Sequence, residues 1–200
     1  MEKSLYIFKL GIILTGLLFS SASQALYLYG DDDYTLNGSD AFVFTYDSST
    51  LTITEFAGAS HVNAYDQSTI NVQSSGSFSH FSTYDQTTAN IYGGNYSFLN
   101  VLGESEANVY DFGTTSWFLL GLDAQLNIYG EDLSYDNGYV RGLSSSGYHY
   151  GFRVQSVDEY GMILDGIAEN VMLNPVPLPA AFWLFWSGLI GLLGVARRKT

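Results

Sequence analysis

The sequence contains no cysteine and very few positive charges. Without cysteine, disulfide frameworks, cysteine-ligated zinc sites and thiol catalysis are excluded. Seven Lys and Arg residues stand against twenty Asp and Glu residues, and five of the seven lie near the two ends of the chain. Only Arg141 and Arg153 lie between these ends, together with nineteen acids. We therefore expect no nucleic-acid partner, because two cations cannot neutralise a row of phosphates.

The sequence also lacks the short motifs of several enzyme classes. It has no nucleophile elbow, no phosphate-binding loop and no zinc-binding helix signature. Serine and threonine are plentiful, but there are only three histidines to activate them: His61, His80 and His149. The sequence therefore predicts a protein that is not an enzyme and that needs no cofactor.

Residues 1–25 have the three-part pattern of a secretory signal peptide. Two lysines precede an apolar run from Leu10 to Phe19, and small residues follow this run. Ser23 and Ala25 fit the small–x–small pattern that signal peptidase reads, so we predict cleavage after Ala25. The apolar run is too short to cross a bilayer, which takes about 20 helical residues. Export with signal peptidase as a partner is the resulting expectation.

Residues 175–200 contain, in order, a proline motif, an apolar run and a basic cluster. The run from Pro179 to Ala196 is uncharged and has about the minimum length to span a bilayer as a helix. The basic cluster should stay cytoplasmic, which leaves the residues before the run outside the inner membrane. The motif is formed by Val176, Pro177, Leu178, Pro179 and Ala180, and the cluster by Arg197, Arg198 and Lys199.

This C-terminal order resembles the PEP-CTERM sorting signals of Gram-negative bacteria. The commonest motif of that family has glutamate between its prolines, whereas Leu178 stands there in this chain, as in the Val-Pro-Leu-Pro-Ala variant. The resemblance implies recognition by an exosortase-type enzyme that acts near the motif and discards the helix. It also implies a transient anchor in the inner membrane, then a cell-surface or matrix location among exopolysaccharide. The alternative is an ordinary C-terminal membrane anchor.

Between the two ends, a pattern of 18–19 residues occurs five times. Two columns of apolar or small residues, nine and seven positions before its centre, repeat with it. A period of this length, with two short strands in each repeat, predicts an all-β fold: a parallel β-solenoid whose rungs stack about 4.8 Å apart. The alternative is an antiparallel sandwich. The pattern is clearest in Leu51-Thr52-Ile53, Ile70-Asn71-Val72, Ala89-Asn90-Ile91, Ala107-Asn108-Val109 and Leu126-Asn127-Ile128.

The repeat predicts a single domain with atypical units at its ends. Such units cover the open edges of a solenoid. We expect an N-terminal cap at residues 26–41, rungs at 42–130 and a C-terminal β cap at 131–174. Within the C-terminal cap we predict strands at 139–141, 152–154 and 162–164, and a turn at 136–138.

The alternation of side chains defines one outer face as the candidate site. Leu51, Ile53 and their equivalents point inward, so the residues between them point outward. Amide ladders and stacked rings stabilise parallel rungs, but aromatic faces beside amides also bind sugar rings. The face is therefore either a carbohydrate-contact surface or simply a support for the strands. It consists of Asn71, Asn90, Asn108, Asn127, Tyr92, Tyr110 and Tyr129.

Two further columns carry groups with chemical potential. Asp47, Asp66 and Asp85 occupy equivalent positions in a polar turn, and we favour a solvated turn over weak Ca²⁺ binding or paired-carboxylate hydrolysis. His61 and His80 should stack on adjacent rungs. Because rings and no third ligand continue their column, we predict ring packing rather than a metal site. The continuing rings are Phe42, Phe98 and Trp117.

The sequence therefore predicts an exported, non-enzymatic structural protein of the cell surface or the exopolysaccharide matrix. The main alternative is a carbohydrate-binding module that uses the Asn/Tyr face. A polysaccharide-degrading enzyme is less favoured, because Arg141 and Arg153 are the only cations that could face an acidic substrate. A curli-like fibre subunit is also less favoured, because the recurrent glutamines of curli are missing.

Overall fold

A computed structural model describes residues 25–73, 75–144, 147–158 and 160–175. In these ranges every regular element is a β-strand, and no helix is present that could cross a membrane. The predicted signal peptide up to residue 24 and the predicted sorting segment from residue 176 lie outside the described residues.

The strands form a parallel β-solenoid with two faces, as the repeat predicts. The chain alternates between the faces, so that each rung adds one strand to each of them. Face A is formed by β1 (Ala25–Leu28), β3 (Ser39–Thr45), β5 (Gly58–Ala64), β7 (Ser77–Thr83), β9 (Asn95–Val101), β11 (Thr115–Gly121) and β14 (His149–Val157). Face B is formed by β2 (Asp33–Leu36), β4 (Thr50–Ile53), β6 (Thr69–Val72), β8 (Thr88–Tyr92), β10 (Glu106–Asp111), β12 (Gln125–Asp136) and β15 (Val171–Pro175).

The register of the parallel pairs follows the repeat. On face B, Thr52 pairs with Asn71, and the four asparagines then pair in succession up to Asn127. Equivalent positions therefore stack directly on one another. The predicted inward positions form the core, because their apolar side chains leave water on folding. Its fully buried members include Val43, Leu51, Ile53, Val62, Ile70, Val72, Phe81, Ile91, Leu99, Phe118, Leu120, Leu126 and Ile128.

Residues 26–41, predicted as an atypical N-terminal cap that does not match the repeat, contribute strands to one further rung of the solenoid. Leu26 in β1 pairs with Val43, and Leu36 in β2 pairs with Ile53. This rung lies 17 residues before the next one, so it breaks the 18–19-residue period while keeping the inward alternation. Ala25, the predicted cleavage position, is the first residue of β1.

The region 131–174 combines an antiparallel unit with one further rung. The second half of β12 pairs antiparallel with β13 (Tyr139–Leu143), which in turn pairs with the first half of β14. The β12–β13 turn holds Asn137 and Gly138 at φ 49° and 74°, as the predicted turn requires. The strand predicted at 162–164 is wrong, since Ile163 makes only an isolated bridge. Strand β15 was not predicted and adds to face B beside β12.

Candidate functional site

The predicted asparagines form a hydrogen-bonded ladder on the outside of face B. The Nδ2 of Asn90 donates to the Oδ1 of Asn71 at 2.9 Å, and the Nδ2 of Asn108 donates to Asn90 at 3.2 Å. The Nδ2 of Asn127 donates to Asn108 at 3.0 Å. The inner amides Asn90 and Asn108 thus each donate to one neighbour and accept from the other, whereas Asn71 only accepts and Asn127 only donates within the ladder. The prediction that these four side chains stack is confirmed.

Neighbouring residues cover the C-terminal end of this ladder, formed by Asn108 and Asn127. Asn108 and Asn127 are each only 9% exposed. The Nδ2 of Asn127 also donates to the Oε1 of Glu106 at 2.7 Å, and its Oδ1 accepts from Gln125 at 3.4 Å. Met172 of β15 pairs with Asn127 and ends the column. The amides of Asn108 and Asn127 therefore find their hydrogen-bond partners within the protein, as a role in supporting the strands requires.

The three predicted tyrosines stack beside the ladder. The ring centroids of Tyr92 and Tyr110 are 4.6 Å apart with planes at 5°, and those of Tyr110 and Tyr129 are 4.5 Å apart at 13°. Burial raises the pKa of Tyr110, and the neighbouring rings Tyr92 and Tyr129 raise it further. Because Tyr110 has a ring on each side, it offers only its edge to a ligand. Sugars bind to ring faces, so the middle of this column is not a sugar platform.

The column that contains the histidines is a second ring stack, on the outside of face A. His61 lies 4.8 Å from Phe42 and 4.6 Å from His80, and His80 lies 4.7 Å from Phe98, measured between ring centroids. Trp117 pairs with Phe98 one rung further on. The imidazoles thus meet face to face, with their nitrogen atoms at the ring edges. Within the described ranges, no group of three or more His, Asp or Glu residues has metal-binding geometry.

At the turn between the two faces, aspartate side chains form hydrogen bonds from one rung to the next. The Oδ2 of Asp47 accepts the backbone N–H of Gly30 at 2.9 Å, and the Oδ2 of Asp66 accepts that of Asp47 at 3.0 Å. The Oδ2 of Asp85 accepts that of Asp66 at 3.1 Å. The three aspartates adopt left-handed backbones, with φ of 55°, 59° and 56°. Asp tolerates this conformation better than most residues, which explains its recurrence in the turn.

These carboxylates lack the asymmetry that hydrolysis requires. A glycosidase needs one carboxyl group that holds its proton and one that does not, and it sets them in different environments. Asp47, Asp66 and Asp85 are all exposed, and each accepts a backbone N–H from the preceding rung. Nothing in this arrangement makes one of the three a proton donor and another a base or nucleophile.

Another ring stack, not predicted from the sequence, lies at the same turn. Four tyrosine rings stack there in succession, with ring centroids 5.0, 5.1 and 4.9 Å apart: Tyr29, Tyr46, Tyr65 and Tyr84. The signal was present, because each of the last three tyrosines directly precedes one of the turn aspartates. The solenoid therefore carries rings or amides outside both faces and at this turn, and these columns bind each rung to the next.

Comparison with known proteins gives no relative: the chain matches no protein family, no curated protein and no solved structure.

Proposed function

We propose that the protein is an exported, non-enzymatic structural component of the cell surface or of the extracellular exopolysaccharide matrix. The observation that carries this proposal is the use of the outer polar groups. The asparagine ladder and the aspartate turn bond mainly to their own counterparts on neighbouring rungs. Such columns stiffen a rod, and they leave few groups arranged for chemistry.

The proposed localisation of the protein rests on the predicted signals at its two ends. The signal peptide predicted at residues 1–25 would bring the solenoid across the inner membrane. The segment 175–200 would hold it there until an exosortase-type enzyme acts near Pro177 and Pro179. The acidic composition of the domain suits an extracellular rod, because like charges keep neighbouring copies apart.

Fractionation of the producing cells, with mass spectrometry of the protein in each fraction, tests this proposal. We expect a mature protein that begins at Leu26, lacks the apolar run and the basic cluster, and is found at the cell surface or in the matrix. Replacing both Pro177 and Pro179 by Ala should leave the uncut protein in the inner membrane. Pro175→Ala, just outside the motif, is the matched control and should be processed normally. A protein found only in the cytoplasm, with both ends intact, would refute the proposal.

A role in carbohydrate binding is the second candidate, and one observation favours it. The tyrosine column has an open end: Tyr92 is its first ring, and the position one rung earlier is occupied by Gln73, which has no ring to stack on it. A sugar-binding role would therefore use the end of the column rather than its side.

A further inference from the structure

A cleft opens at the corner where the chain leaves face B for face A, next to the end of the tyrosine column. It encloses about 460 Å³. Two exposed aromatic side chains line it, Tyr92 from β8 and Tyr148 from the segment before β14. Glu55, Asp111 and His149 add polar groups around them. The cleft thus draws on the rungs and on the C-terminal unit together.

Gly94 and Gly113 line the cleft, and the close packing around them excludes a side chain at either position. Gly94 has a φ of 104°, and a Cβ there would lie 2.9 Å from the Oη of Tyr96. A Cβ on Gly113 would lie 2.5 Å from the carbonyl oxygen of Gly94 and equally close to the Oδ1 of Asn95. No side chain fits at either position without displacing backbone or buried atoms. The backbone of two successive rungs therefore forms this part of the cleft, and the exposed side chains of Tyr92 and Tyr148 line it as well.

Both aromatic side chains have ring surface free for a ligand. Tyr92 is 48% exposed and stacks on Tyr110 through one face only. Tyr148 is 75% exposed, and none of the described rings stacks on it. A ligand that covers these rings removes their apolar surface from water, which favours binding. Two such rings around one depression, with carboxylate and imidazole groups beside them, match a ligand that is apolar on its faces and rich in hydroxyl groups at its rim.

The charge of the cleft restricts the ligand further. Glu55 and Asp111 line it, and neither of the two described cations, Arg141 and Arg153, does. An acidic sugar would be repelled by these carboxylates, because no Lys or Arg among the described lining residues could pair with its own carboxylate. A cationic sugar would be attracted by the acidic surface everywhere and would gain little from this cleft in particular. A neutral saccharide suits the cleft best, since carboxylate oxygens accept hydrogen bonds from its hydroxyl groups.

We propose that this cleft is a binding site for a neutral saccharide chain. The rings of Tyr92 and Tyr148 contact the C–H faces of the sugar units, and Glu55 accepts hydrogen bonds from their hydroxyl groups. The asparagine ladder takes no part. The proposal does not rest on export, because a purified protein displays the cleft wherever the cell places it.

Calorimetric titration of the full-length chain with three neutral hexasaccharides tests the site. The probes are cellohexaose, laminarihexaose and N-acetylchitohexaose, with a hexamer of galacturonic acid as the acidic comparison. We expect at least one neutral probe to bind with a Kd of about 1 mM or tighter, a range suited to a shallow, exposed cleft. The acidic probe should not bind. If no neutral probe binds at concentrations up to about 10 mM, or if the acidic probe binds as well as they do, the proposal fails.

Variants locate the binding within the cleft. Tyr148→Ala removes an exposed ring that no other described ring contacts, so the fold should be kept, and affinity should fall about tenfold. Glu55→Gln should weaken binding severalfold, because an amide oxygen accepts less strongly than a carboxylate. Tyr160→Ala, an exposed tyrosine outside the cleft, is the control and should bind as the unaltered protein does. Equal affinity of the Tyr148→Ala and control variants would overturn the assignment.

Discussion

The backbone N–H of Asp47 donates to the Oδ2 of Asp66, its counterpart on the next rung, at 3.0 Å. The same bond joins Asp66 to Asp85 at 3.1 Å. At this turn the chain leaves one face for the other, and backbone hydrogen bonds still join the rungs: the N–H of Gln67 donates to the carbonyl oxygen of Asp47 at 2.9 Å. The carboxylates add a second set of bonds between the rungs there. An acidic column that sequence alone marks as solvated is therefore part of the framework.

Substitutions at Asp66 separate its two tasks, accepting a hydrogen bond and adopting a left-handed backbone. Asp66→Asn keeps an acceptor and tolerates φ near 59°, so the free energy of unfolding should change by less than about 0.5 kcal/mol. Asp66→Gly still adopts the left-handed backbone but lacks the hydrogen-bond acceptor. Asp66→Ala lacks the acceptor and also disfavours that backbone, so it should lower the free energy of unfolding by about 2–3 kcal/mol. Urea denaturation should rank the variants Asn, Gly, Ala in falling stability. A stable Ala variant would show that the carboxylate bond contributes little.

The asparagine ladder should depend on each of its inner members. Asn90→Ala removes the acceptor of Asn108 and the donor to Asn71 and leaves both amides short of a partner. We expect a loss of about 2 kcal/mol in the free energy of unfolding. Asn63→Ala, outside face A and away from the ladder, is the control and should change it by less than about 0.5 kcal/mol. Equal effects of the two substitutions in urea denaturation would mean that the ladder adds nothing specific.

Phe56 occupies a position that suits glycine. It is the third residue of the turn from Thr54 to Ala57, closed by a 3.1 Å backbone bond, and its φ is 67°. A turn of this kind prefers glycine there, and Phe56 is 79% exposed, so little packing offsets the strain. Phe56→Gly should stabilise the protein by about 0.5–1 kcal/mol after the greater flexibility of unfolded glycine is subtracted. Glu55→Gly, at an ordinary backbone position, should instead destabilise it; a loss of stability in both would contradict this explanation.

Alkaline solutions should unfold the protein, with Tyr150 among the causes. Burial, with a smaller effect from Asp111, raises the pKa of Tyr150 to about 12 from the ordinary value of 10.0. The folded state therefore holds this proton more tightly than the unfolded state. Stability from this group is complete below pH 10 and is lost as the pH rises from 10 to 12. Burial also raises the pKa of Tyr96, Tyr65 and Tyr46, which adds to the same trend.

Tyr150→Phe isolates that contribution. The buried hydroxyl of Tyr150 has no hydrogen-bond partner among the described residues. Removing it should raise the free energy of unfolding at pH 7 by about 1 kcal/mol and should make the decline between pH 10 and 12 shallower. Denaturation curves at several pH values, with tyrosine absorbance as a record of ionisation, measure both effects. A variant that is less stable at pH 7 and equally sensitive to alkali would refute this account.

The five central rungs were predictable because one position has nearly the same neighbours in every repeat. Inward Leu51 and outward Asn71 follow from the two-residue alternation of strands, and the 18–19-residue spacing then determines which residues stack. The hydrogen bonds of the ladder and the overlap of the tyrosine rings are consequences of that register. The accessible surface of Tyr110 was not predictable, because alternation assigns a face of the sheet but does not tell whether two neighbours cover a ring.

The end regions escaped prediction for different reasons. Leu26 and Leu36 keep the inward pattern, but a spacing of 17 residues takes them out of the repeat. Strand β15 lies 45 residues after the strand position that it joins, and Met172 stands where the ladder would have an asparagine. Such a long-range pairing leaves no periodic signal in the sequence. The cleft beside Tyr92 brings residues of the central rungs together with Tyr148 of the C-terminal unit. It therefore could not be predicted from the repeat either.

The near-constant rung has a consequence for how such a protein changes in length. Each rung of the middle region contacts only the rung before it and the rung after it, through matching residues. Duplicating one 19-residue unit, such as residues 66–84, would create one new junction, in which Tyr84 precedes Asp66 just as Tyr65 does in the natural chain. It would extend the rod by about 4.8 Å. Evolution or engineering could therefore lengthen or shorten the solenoid by whole rungs without redesigning either end.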